Sequence, residues 1–387
     1  VDKETAKHFK SNLDENLDTL LFELKNKKYK ARLVKRVYIP KGKNQQRPLG
    51  LPSLRDKIVQ RAAASILEAI YEQDFIKDSY GYRLGKNAHQ AIQAIKKELS
   101  GKYTHVVEAD IKGFFNNISH EWLIKMLKER INDNAFIGLI KKWLRAGVLE
   151  TDGSVVNPVN GCPQGSVISP VLANIYLHYV LDLWFLKAVK PKCLGEAYYC
   201  RSADDFIFGF RYKKDADKML NSLGLRLEKF GLELAEEKTG RVVFSRFKKH
   251  LGTSFSFLGF DFRWKVSRNG KDYILMETNP KRMSKSLKAF TKWCKENRNN
   301  RIKKIVDMVN CKLRGYFNYY GIRGNSHKIN RFYDIAIRIL YKWLNRRSQR
   351  RSFNFEEFSK KMEHYGLIKP RIKHMYRQTS IEDYCFA

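Results

Sequence analysis

The chain of 387 residues is long enough for two or three structural units, each with its own core. Its 43% hydrophobic and 13% aromatic content excludes a disordered protein. A net charge of +35, from 75 Lys+Arg against 40 Asp+Glu, calls for a polyanionic partner, nucleic acid ahead of a membrane surface.

In chain order, residues 32–39 read as a strand closed by Pro40 and a 41–46 loop. Residues 55–75 carry apolar positions at helical spacing without Gly or Pro, and 88–99 form a second helix. A strand at 104–109 ends at Asp110, and a helix follows at 119–130. The most apolar stretch, 170–186, is broken by Asn174, His178 and Asp182 and cannot span a bilayer. Residues 197–202 and 206–210 read as two strands joined at Ala203-Asp204-Asp205, a hairpin with its acids at the bend. A helix at 214–230 and a short β segment at 255–262 complete a unit of α+β class.

Charge marks a second unit. Residues 281–387 hold 27 Lys+Arg and 8 Asp+Glu, net +19, and are about three times as basic per residue as the rest. The natural junction is 265–281, with Asn269-Gly270 and Asn279-Pro280. Helices are expected at 303–320, 329–346 and 354–365. Basic runs at 281–301 and 342–351 interleave with Trp293 and Trp343, and Phe353 follows. That pattern suits phosphate contact and base stacking, and equally a bundle with a solvated basic face.

Six cysteines (162, 193, 200, 294, 311, 385) make no C-x-x-C pair and have no His at zinc spacing, so they read as reduced thiols of a cytoplasmic protein. The chain opens on Val1-Asp2-Lys3 without methionine or targeting segment, which suggests a trimmed N-terminus.

Two Mg²⁺ ions that activate a 3′-hydroxyl and clamp a triphosphate need several carboxylates at one place. Asp110 at a strand end and Asp204-Asp205 on a hairpin would meet at one sheet edge. Singly, each reads first as a turn residue or a helix cap. Their standing comes from ordered blocks: Val107-Glu108-Ala109-Asp110-Ile111-Lys112-Gly113-Phe114-Phe115, Gly161-Cys162-Pro163-Gln164-Gly165-Ser166, Ala203-Asp204-Asp205-Phe206, Glu236-Glu237-Lys238-Thr239 and Phe257-Leu258-Gly259-Phe260. With Arg47-Pro48-Leu49-Gly50-Leu51-Pro52, Ser79-Tyr80-Gly81-Tyr82-Arg83 and Leu313-Arg314-Gly315-Tyr316, the sequence resembles the reverse transcriptases of group II introns, nearly end to end.

The resemblance implies a right-hand polymerase: fingers over 1–100, palm over 101–265 with interleaved fingers segments, and a helical thumb or maturase region over 266–387. It implies Asp110 and Asp204 as ligands of two Mg²⁺ ions (Mn²⁺ able to substitute), with Asp205 close by and the Ile111 carbonyl assisting. Phe115 would lie under the incoming sugar and favour dNTPs, one of Phe114 and Phe115 being core. Lys41 and Arg47 would close over the triphosphate, although a solvated basic hairpin reads as well from spacing alone. Gln164 and Gly165 would line the nascent pair on a loop with free N–H groups, and Ser166 the primer–template. Lys238 would stand near the leaving pyrophosphate as a general acid, although an exposed surface lysine reads as well. Arg83 would touch the template, and Leu258-Gly259 would form the primer grip, although both read equally as packing and surface residues.

The departure is Ser202, where that family carries an aromatic two residues before the acid pair; Tyr198 and Tyr199 lie upstream. The implied partners are an RNA template, a DNA or RNA primer, dNTPs and the group II intron RNA, with no membrane and a homodimer left open. A bacterial form without the endonuclease is implied, relying on nicks or replication forks. Two other readings stand beside it: a domesticated relative in host defence, CRISPR spacer acquisition or DNA repair, and a non-catalytic RNA-binding splicing factor.

Overall fold

A computed structural model describes residues 4–40, 46–347 and 352–372, the side chains of 249–251 excepted. The chain divides at Val243/Phe244 into two compact units.

The first unit is built on a four-stranded antiparallel sheet in the order Gly240–Val243, His105–Ala109, Asp205–Phe210, Ala197–Ser202. Two central strands of β-branched and aromatic residues, Val106, Val107, Phe206, Ile207, Phe208 and Phe210, are buried, as a sheet packed within its domain requires. Helix Lys213–Lys229 sends Ala216, Met219, Leu223 and Leu227 into the same core, the spacing of one helix face. A second antiparallel pair, Val34–Pro40 with Gln46–Leu51, sets Pro40 opposite Gln46 across the 41–45 segment. Lys41 therefore lies outside the described residues, while Arg47 is described and pairs with Ile39.

The expected helices form, with ends set by caps. Ser53 accepts from the Asp56 N–H to start Leu54–Tyr71, Asn87 makes a capping box for Ala88–Leu99, and Ser119 caps His120–Lys128. The 170–186 stretch becomes helix Ser169–Leu177, entirely buried but for Pro170, continued by π-helical turns His178–Asp182 and Phe185–Val189. Among the described residues no helix is long and apolar enough to cross a membrane.

The second unit corrects the expected junction. Residues 265–281 are no linker: Phe260–Val266 and Asp272–Thr278 form a hairpin, with Gly270 at φ +74° in its turn. Ser254–Phe257 adds a third antiparallel strand, so the single β segment expected at 255–262 is two strands folded at Leu258-Gly259. Three strands bonded to one another close before the chain turns helical, which moves the division back to Val243/Phe244 and adds a sheet to the mostly helical unit expected. Helices Pro280–Asn297, Ile302–Tyr320, Ser326–Leu344 and Phe355–His364 follow around Phe290, Val306, Val309, Leu313, Phe332 and Leu340.

Candidate active site

Register brings the acids together. Ala109 pairs with Phe206 in the antiparallel ladder, so the adjacent residues, Asp110 and Asp205, stand at the same end of the sheet. On the other flank Gly240 pairs with Glu108, which brings Lys238 alongside Asp110. The Lys238 Nζ donates to Asp110 Oδ2 at 2.6 Å, and the Ala235 N–H donates to the Asp110 carbonyl at 2.8 Å. That hydrogen bond to Asp110 raises the Lys238 ammonium above its ordinary range, and the charge of Asp204 adds to it. One cation therefore feels both Asp110 and Asp204. Ile111 continues as a two-residue bridge to Leu234.

The acid pair sits on a two-residue hairpin closed by Ser202 opposite Asp205. Ala203 takes φ +58°, a left-handed conformation that non-glycine residues adopt seldom but that tight hairpins demand. Gly81 lies against this bend, where a Cβ would collide with the Ala203 backbone nitrogen. Tyr82, also at positive φ, is exposed; partial desolvation and then the charge of Asp204 raise its pKa, while Arg47 pulls it down. Arg47 and Asp204 thus both bear on Tyr82. Ser202 is half-buried; Tyr198 and Tyr199 are buried, and Tyr199 stacks on Phe208 at 4.9 Å.

Phe114 is core, and Phe115 is half-buried, edge-on to it at 5.2 Å. The Phe115 carbonyl accepts from the N–H of Cys162, which draws the 161–166 turn beside it. Burial pushes the Cys162 thiol up to about 12, an unreactive group. The turn is fixed on both sides: the Gly50 N–H donates to the Gln164 carbonyl at 2.6 Å, and Gly165 adopts φ +103°, where an added Cβ would lie 3.1 Å from the Gly50 carbonyl.

Two sequence expectations change. Ser166 is buried and donates to Gln60 Oε1 at 2.7 Å, and Gln60 also accepts the Val167 N–H, so the N–H groups of Ser166 and Val167 are used and Ser166 does not face a primer or template. Arg83 is likewise internal: its side chain, 4% exposed, forks onto Glu72 and donates to the carbonyls of Ile76 and Ser79. A guanidinium so engaged holds its loop and has no face for a template. Leu258 and Gly259, by contrast, form a turn with φ of +50° and +83°, gripped by the Tyr319 hydroxyl on the Leu258 carbonyl and the Asn279 N–H on the Gly259 carbonyl. Trp293 and Trp343 pack on the second unit's core, Lys312 over one and Arg298 and Arg346 over the other, so their faces serve the unit's own cations.

Sequence reading missed Gly81, Tyr82 and Arg201. All three lie within or beside quoted blocks, but only the approach of the 79–82 segment to the hairpin shows what they do. Among the described residues no three His, Cys, Asp or Glu side chains are already gathered into a metal cage. What is present is hard oxygen donors at one sheet end, with Asp110 and Asp204 both acting on one cation, a donor set that fits a hard divalent ion.

The sequence profile of the reverse transcriptase (RNA-dependent DNA polymerase) family matches residues 39–262. Group II intron-encoded protein LtrA of Lactococcus lactis is 31% identical over 402 residues, covering 82% of this chain; the chain spans 65% of that protein's length. Protein YkfC of Escherichia coli (strain K12) is 32% identical, covering 70% of this chain and 77% of that one. In fold, the chain is similar to a telomerase from Candida albicans solved with a telomeric RNA fragment, with a TM-score of 0.50 and 13% identity over 92% of this chain and 68% of that one. The chain belongs to the reverse transcriptase family and, within it, to the group II intron-encoded reverse transcriptases and maturases.

Proposed function

We propose that the chain is an RNA-directed DNA polymerase that adds dNTPs to a primer 3′-hydroxyl at Asp110, Asp204 and Asp205. The observation that supports this reading is the ladder register that sets Asp110 and Asp205 at one end of the sheet, with Lys238 bonded to Asp110. Two Mg²⁺ ions bound by these carboxylates, with Mn²⁺ as substitute, would supply charge neutralisation and an activated hydroxyl. The residues of the chain do the rest. Lys238, held protonated through the neutral range, stands ready to give its proton to a leaving pyrophosphate. Arg47, with Lys41, would hold the triphosphate as a fork. Phe115, Gln164 and Gly165 would bound the nucleotide, with Phe115 barring a 2′-hydroxyl, and Leu258-Gly259 would seat the primer end.

On this reading the 34–51 hairpin belongs to the fingers, the four-stranded sheet is the palm, and the unit from Phe244 is the thumb or maturase region. That unit carries Lys281, Lys285, Lys288, Lys292 and Lys295, all exposed at helical spacing along Pro280–Asn297, a charged ridge suited to an RNA backbone. Binding and splicing of a group II intron RNA follows as the partner function. Extension of a primer on an RNA template with dNTPs tests the enzyme. Asp204→Asn is expected to lower extension by at least about a hundredfold, with RNA affinity unchanged within about twofold. Absence of Mg²⁺-dependent extension by the wild type would leave only an RNA-binding role.

A further inference from the structure

Beneath the acid pair lies a buried charge that the proposed chemistry does not use. Arg201 is 0% exposed, and its guanidinium forks onto Asp182, Nε to Oδ1 at 2.8 Å and Nη2 to Oδ2 at 2.6 Å. The remaining nitrogen, Nη1, donates to Asn174 Oδ1 at 2.9 Å and to the carbonyl of Ala203 at 3.1 Å. Asn174 passes the connection on, its Nδ2 donating to the Gly81 carbonyl at 2.7 Å. The Tyr199 hydroxyl donates to Asp182 Oδ1 at 2.8 Å. Burial alone would raise the Asp182 carboxyl, but Arg201 holds it below the ordinary range; Arg201 is raised in turn by Asp182 against its own burial. Both groups are charged.

A buried ion pair is a poor way to stabilise a core, since desolvation offsets the attraction and apolar residues of like volume do as well. What an apolar residue cannot do is clasp a carboxylate with two nitrogens and reach a backbone carbonyl with the third. That carbonyl belongs to Ala203, the left-handed residue from which Asp204 and Asp205 project. Gly81 closes the bend from the opposite side and is tied by Asn174 to the same guanidinium. The backbone of residue 201 is anchored too, its N–H donating to the Asp78 carbonyl and its carbonyl accepting from the Tyr80 N–H.

We propose that Arg201 is a positioning residue for the acid pair: held by Asp182 and linked through Asn174 to Gly81, it fixes the Ala203 bend and with it the direction of Asp204 and Asp205. The proposal rests on Asp204 and Asp205 being the reacting acids. It bears on how they are aimed, not on what they bind.

Arg201→Lys keeps the charge for Asp182 but cannot also span to Ala203, and Asn174→Ala leaves the ion pair intact while cutting the link to Gly81. Amide hydrogen exchange is read on each protein without added metal, and primer extension on each with Mg²⁺. In both variants the 203–206 amides are expected to exchange at least about tenfold faster, while 105–109 keep wild-type protection. The kcat is expected to fall about tenfold to a hundredfold with the dNTP KM within about twofold. Unchanged exchange at 203–206, or a rise shared by the whole sheet, would overturn the proposal and make Arg201 an ordinary core ion pair. Should Arg201→Lys fail to fold, Asn174→Ala decides by the same outcomes. Asp204→Asn run alongside separates the two ideas: retained extension there removes the reading of the acids, while the exchange result still judges the clamp.

Discussion

Ser202 closes the hairpin opposite Asp205 and is half-buried, whereas Arg201 beside it points the other way into the core. The alternation of a strand thus separates the neighbours: Ser202 is partly open, and Arg201 is buried and bonded to the Ala203 carbonyl. The aromatic missing at 202 has no substitute in the strand, since Tyr198 and Tyr199 are buried; the aromatic that does bear on Asp204 is Tyr82, from a separate segment. Because Ser202 occupies the open face, Ser202→Tyr is expected to keep primer-extension kcat within about threefold of wild type or to raise it. A loss beyond about tenfold, with an unchanged melt, would mean the pocket is rebuilt around serine. Asp110, Asp204 and Asp205 were legible from their blocks. Arg201 was not, because a guanidinium next to an acid pair in sequence reads as a surface cation, and only burial reveals its partners.

At the scale of elements, caps and turns explain why strands and helices stop where the site needs them. The Leu258-Gly259 turn shows the cost of that precision. Gly259 at φ +83° lies where an added Cβ would come within 3.0 Å of the Tyr320 hydroxyl. Gly259→Ala is expected to destabilise the protein by about 1–2 kcal/mol, read as a lower urea midpoint, from the left-handed backbone alone. An unchanged midpoint would show that the turn relaxes to another form. The hairpin at 260–278 was hidden from sequence because Asn269-Gly270 serves equally as a junction signal and as a tight turn. The π-helical turn at His178–Asp182 was hidden as well; it ends on Asp182, the partner of Arg201.

At the scale of the whole molecule, charge predominates. The +35 excess is concentrated toward the second unit, where basic ridges lie exposed and the tryptophans are turned inward under lysine and arginine. Affinity for RNA should then rest on phosphates rather than on stacking. Filter binding or fluorescence anisotropy is expected to show RNA affinity falling at least about a hundredfold between roughly 50 and 200 mM salt, linear on a log–log plot. A flat response would assign the affinity to aromatic contacts instead.

Sequence alone determined the family and the fold class and singled out the candidate acids, because composition, local periodicity and ordered motif blocks are written in neighbouring residues. Tertiary structure decided the rest: that Arg83 and Ser166 are internal, that the second unit opens with its own sheet, that Lys238 pairs with Asp110, and that Arg201 grips the bend. The Ser166 and Lys238 contacts span more than a hundred residues, and the Arg83 and Arg201 contacts, though nearer in sequence, follow from burial that no local pattern encodes.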